Sequence, residues 1–205
     1  SLDGRQAYLA DRHSVRLTVV DVDRLEPVGR VGPFLSYIRP FTVNGRRSRV
    51  YVCVDDLLGF EVGDLRTFQP LHRVVVTGFQ KGPVKRHACP SHGIGLTPDE
   101  REVWLTDAAN ERMHVFDNTV EPPCQVASIP VRDQPGWITF SLDGRHAWPS
   151  TGDVIDVATR RIVATLADET GAPVQSEKMV EVQFENGSVL RVGDQFGVGR
   201  VAAGE

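Results

Sequence analysis

The chain has 205 residues, 40% of them hydrophobic and 24% charged, with a formal net charge of -4. That composition is ordinary for a globular protein with one sizeable core or two small ones, and the net acidity removes the electrostatic ground for a nucleic-acid partner. No stretch approaches the ~18 apolar residues of a membrane helix, no signal peptide is visible, and Cys53, Cys89 and Cys124 are too few and too scattered for a disulfide framework.

In chain order, SLDGRQAYLA at residues 1–10 reads as a turn and a strand, followed by the alternating run LTVVDVD and then PVGRVG. A second set begins at IRPF (38–41) and continues through RVYVCV, GFEVGDL and LHRVVV. The basic runs NGRRSR, within this set, and KGPVKRH, after it, read as solvated loop faces. A third set runs GIGL, EVWLT, MHVFDNT and QVASIPV; a fourth runs WITF, HAWPS, DVIDVAT and RIVATLAD. A fifth begins near EKMV (177–180), continues through SVLRVG and reaches QFGVGRV at 195–201. Period-2 alternation between turn residues predicts strands throughout, and no window offers a long amphipathic helix.

These sets are copies of one unit. SLDGRQAYLA returns as SLDGRHAWPS at 141–150, with diverged versions in TVNGRRSRVYV, LTPDEREVWLT and FENGSVLRVG. The turn anchors Asp3, Asn44, Asp99, Asp143 and Asn186 lie 41, 55, 44 and 43 residues apart, so one interval is oversized. Asp-Gly and Asn-Gly tolerate positive φ and favour a tight hairpin. Four short antiparallel strands per repeat of this length predict an all-β fold, a β-propeller of four-stranded blades. A lone sheet exposes two apolar faces, and radial stacking covers both. The expected blade units of this single domain are 1–32, 33–76, 77–131, 132–168 and 169–205. The opening on a second strand and the missing fourth strand of the last unit predict a propeller with truncated ends. Seven blades are expected in the complete ring, or five if the chain stands alone.

The segments SLDGRQAYLAD, TPDEREVWLTDAANERMHVFD and FSLDGRHAWPSTGDVIDVATRRIVATL resemble the bacterial YVTN-type β-propeller repeat. Residues 96–118 and 137–166 match best and residues 33–90 least. The resemblance implies a seven-bladed propeller and a periplasmic, secreted or cell-surface location. It implies no single activity, since related propellers include lactonases, haem-carrying domains and surface proteins without known catalysis.

In a propeller the first strand of each blade lines the channel, and the loop leading into it lies on the rim. Those lead-in positions hold Arg39, His92, Gly136-Trp137 and Lys178. Cationic and aromatic side chains together suit a small anionic molecule. The oversized interval ends in RHACPSH, whose His87, Cys89 and His92 have metal-ligating chemistry without the spacing of a strong metal motif. The expected function is therefore binding of a small anionic ligand or a protein partner at a rim site of Arg39, His87, His92, Trp137 and Lys178. The alternative is a lactonase-like or other hydrolase using the His87/Cys89/His92 loop. No cofactor is predicted beyond a metal ion that this loop could hold. Asp21, Asp117 and Asp156 each follow a third strand, so they are expected to accept turn hydrogen bonds as part of the scaffold.

Overall fold

The computed structural model describes residues 1, 3–84 and 88–194. Within them seventeen strands form five antiparallel sheets, and there is no helix among the described residues. The first sheet is β1 (Gln6–Ala10), β2 (Leu17–Asp21) and β3 (Glu26–Val31). The second runs β4 (Ile38–Val43), β5 (Arg49–Val54), β6 (Gly59–Asp64) and β7 (Pro70–Val75). The third runs β8 (Ile94–Leu96), β9 (Glu102–Asp107), β10 (Arg112–Asp117) and β11 (Cys124–Pro130). The fourth runs β12 (Ile138–Phe140), β13 (His146–Pro149), β14 (Asp153–Asp156) and β15 (Arg161–Thr165). The hairpin β16 (Val180–Glu185) and β17 (Ser188–Asp194) is the fifth. Spatial order follows chain order in every sheet, as in the blades of a propeller. The segment QFGVGRV lies outside the described residues.

Apolar side chains on both faces of the strands stack the sheets. On β5, Val50, Val52 and Val54 enter one core with Leu17, Val19, Val31 and Ile38, whereas Tyr51 and Cys53 enter the next. On β9, Val103 and Leu105 face back toward Phe60 and Val62 while Trp104 faces forward onto Phe140 and Ile138. Three cores thus lie between successive sheets, and each fully buried Val, Leu, Ile or Phe in them stabilises the fold by about 1.5–3 kcal/mol. Aromatic rings pack edge-on across them, Phe60 with Phe116 at 5.0 Å and Trp104 with Phe140 at 5.6 Å.

The first four sheets share one irregularity. Pairing of the last two strands of each shifts register between Val19 and Val20, Val62 and Gly63, Val115 and Phe116, and Val154 and Ile155. The extra residue falls on the outer strand as Val28, Leu71, Val126 or Val163, and all four are exposed. Carboxylates also tie neighbouring sheets together: Glu61 accepts from the Leu35 amide at 2.6 Å, and Glu181 from the Leu142 amide at 2.7 Å.

This connectivity sorts the loops. Hairpins between first and second strands share one face with the turns between third and fourth strands. The lead-in segments share the opposite face with the turns between second and third strands.

Candidate functional site

On the lead-in face, each second-to-third-strand turn of the second, third and fourth sheets holds a buried carboxylate. Asp55, just past β5, is gripped by Arg39, whose Nε and Nη2 each donate to one carboxylate oxygen at 2.6 Å. Arg39 stands in the bulge of β4 opposite β5, where pairing jumps from Ile38 to Phe41. The hydrogen-bonded carboxylate of Asp55 raises the Arg39 pKa above its ordinary value. The guanidinium is therefore permanently charged, with its charge largely matched by Asp55.

Asp107, at the end of β9, anchors a second network. His114 Nε2 lies 3.1 Å from Asp107 Oδ2, His114 Nδ1 lies 2.8 Å from Ser128 Oγ, and Asn110 Nδ2 donates to Asp107 at 2.7 Å. Asp107 and His114 are wholly buried, and Phe79 covers the imidazole at 5.0 Å. Asp153 is the third such carboxylate, accepting from Thr151 Oγ1 at 2.7 Å and pairing with Arg132 at 3.2 Å. Each carboxylate is completed by a base from elsewhere in the fold, an arginine for Asp55 and Asp153 and a histidine for Asp107. Read singly, Asp107, Asn110, His114 and Ser128 look like turn and strand residues. An aspartate directly at the end of an apolar second strand, as at Asp55 and Asp107, signals the acid, but nothing local marks His114 or Ser128 as its partners.

The predicted rim residues separate into three situations. Arg39 is tied to Asp55 as described. Cys89 is buried in the core between the second and third sheets, and its thiol donates to the carbonyls of Ser91 at 3.3 Å and Val54 at 3.6 Å. His87 lies outside the described residues, and among those described no three His, Cys, Asp or Glu side chains converge as a metal set.

His92, Trp137 and Lys178 do come together along consecutive lead-in segments. His92 Nδ1 lies 3.3 Å from the Gly136 carbonyl, and Lys178 Nζ sits 5.0 Å above the Trp137 ring. The backbone is built for this approach, since a Cβ on Gly93 would fall 2.8 Å from Trp137 Cα. Ser150 holds the segment from both sides: its Oγ accepts from the Gly136 amide at 2.8 Å, and its amide donates to the Trp137 carbonyl at 3.0 Å. The Ser150 carbonyl also accepts from the Ser176 amide at 3.0 Å, which brings Lys178 into place. An exposed ammonium over an indole face, with an imidazole on the next lead-in, can bind a small anion that carries an apolar portion.

A groove of about 450 Å³ opens on the opposite face, between the β8–β9, β12–β13 and β14–β15 turns. Glu102 accepts from Arg160 Nη2 and Trp104 Nε1, and the lining aspartates are engaged in their own turns. Asp99 accepts from Thr97 Oγ1, Asp143 from Ser141 Oγ, and Asp156 from Thr159. This groove is a by-product of repeated hairpins, and the cation–aromatic chemistry lies on the lead-in face.

No family model matches the chain, and no curated protein matches it. Among solved structures, hydrazine synthase of Kuenenia stuttgartiensis, a propeller-containing protein, superposes with a TM-score of 0.69. The two are 20% identical over 89% of this chain, and this chain spans half the length of that one. At that identity the likeness speaks to architecture alone. The chain has a propeller-like, all-β fold built from antiparallel blades.

Proposed function

We propose that this protein is a ligand-binding propeller of the YVTN-repeat type, working outside the cytoplasm, which takes a small anionic molecule at the lead-in face. The observation that carries the reading is the placement of Lys178 over Trp137 beside the segment that His92 contacts. Lys178 supplies a charge for a carboxylate or phosphate, the indole a face for the ligand's apolar portion, and His92 a directional hydrogen bond. Arg39 adds positive potential further along the rim, tempered by Asp55. The hydrolase alternative has less support, because the Cys89 thiol is buried and engaged with two carbonyls.

Trp137 makes the reading testable by its own fluorescence. Titration with a panel of aromatic and aliphatic carboxylates and phosphate esters is expected to give a saturable change for at least one class. The change should disappear in Trp137→Phe, and the affinity should fall roughly tenfold in Lys178→Ala, as loss of a charge-assisted contact implies. A flat response across the panel, confirmed by calorimetry, would remove the small-anion reading and leave a protein partner as the occupant of this face.

A further inference from the structure

The oversized interval between the second and third sheets brings Cys89 into the core that holds Cys53. Cys53 is the β5 residue that turns, with Tyr51, into the core between those sheets, and Cys89 occupies that same core. The backbone of the interval runs beside the end of β5: the Asp56 amide donates to the Ala88 carbonyl at 3.2 Å, and Cys89 Sγ lies 3.6 Å from the Val54 carbonyl. Cys89 Sγ thus lies against the backbone of the residue that follows Cys53. Both residues are buried, whereas Cys124 is exposed on β11.

We propose that Cys53 and Cys89 are the partners of a disulfide that fastens the segment preceding β8 to β5. Two S–H bonds break and one S–S bond forms. The two electrons and two protons pass to a small-molecule disulfide such as oxidised glutathione, which leaves as two thiols. The steps are attack of one cysteine thiolate on the oxidant, then displacement of the glutathione by the second cysteine.

Burial, with the neighbouring Cys89 thiol adding to it, pushes the Cys53 thiol well above its ordinary range. In the folded chain both sulfurs are buried, so exchange is slow there. The bond is therefore made while the chain is folding and, once made, is shielded from reductants. Its effect is local: it pins the backbone immediately before Ser91, whose Oγ accepts from the Gly59 amide at 3.0 Å, and before His92. It also removes Cys89 from the set of metal ligands. None of this depends on the identity of a rim ligand.

The test uses the full chain carrying Cys124→Ser, produced once in a reducing cytosol and once by export to an oxidising periplasm. The cytosolic protein is expected to titrate two thiols in denaturant and the exported protein none. The exported chain should also be lighter by about 2 Da, with a non-reducing peptide map joining the Cys53 and Cys89 peptides. Cytosolic protein unfolded and refolded with oxidised glutathione should give the same linked peptide, which keeps the test independent of export. Two free thiols in every preparation, or glutathione adducts without the cross-link, would overturn the proposal.

Discussion

Arg39 and Asp55 show how one residue can be positioned by chemistry other than ligand binding. Their side chains are 18% and 8% exposed, so the pair is shielded enough for its loss to register. Asp55→Ala leaves a guanidinium without its counter-ion, and the expected destabilisation is about 3 kcal/mol in urea unfolding. The double variant Arg39→Ala/Asp55→Ala should be less destabilised than the sum of the two single variants. A loss below about 1 kcal/mol in Asp55→Ala would instead mark the pair as solvent-screened. The sequence places Arg39 on the lead-in segment but does not reveal this commitment, because its partner comes from the end of the following strand. The Asp107–His114–Ser128 network was illegible for the same reason, its members being spread over three strands.

At the level of elements, the strands were legible because alternation and Asp-Gly or Asn-Gly turns are local signals. What stayed hidden was the close approach of segments distant in sequence. Gly59 opens β6 at φ +148°, and a Cβ there would lie 2.1 Å from the Val74 carbonyl oxygen. Gly187, in the β16–β17 turn at φ +79°, has nothing within 4 Å of that position. Gly59→Ala is therefore expected to cost more than about 2 kcal/mol, since strain adds to a clash with backbone, and Gly187→Ala only about 1 kcal/mol. Comparable losses in paired thermal melts would show that the β6–β7 pair relaxes around the added methyl. Likewise, the lead-in alignment grouped His92, Trp137 and Lys178 by repeat position. The bonds from Gly136 and Ser176 to Ser150 that hold them are side-chain and backbone details no periodicity encodes.

Across the whole molecule the two faces answer differently to acid. On the hairpin face, Asp117, Asp143 and Asp156 titrate below the ordinary carboxylate range, chiefly because Thr119, Ser141 and Thr159 hydroxyls donate to them. A depressed folded-state pKa stabilises the fold above the unfolded value near 4, and that stabilisation is lost as pH falls through the lower folded values. Melting temperature should hold steady down to about pH 5 and then decline. The triple variant Asp117→Asn/Asp143→Asn/Asp156→Asn should decline less steeply between about pH 4 and pH 2. An identical slope in wild type and variant would assign acid sensitivity to other groups. Asp21, Asp117 and Asp156 do accept turn hydrogen bonds, from Arg24, Thr119 and Thr159, as their recurrence after each third strand suggested.

The bulge shared by the first four sheets bears on how copies of this protein meet in crowded solution. Each outer strand is a sheet edge with unpaired amides and carbonyls. A strand arriving from another molecule would find its ladder broken where Val28, Leu71, Val126 or Val163 stands out of step. The same kink that bends each blade thus works as a stop against runaway polymerisation, repeated in every sheet that has a fourth strand or its equivalent.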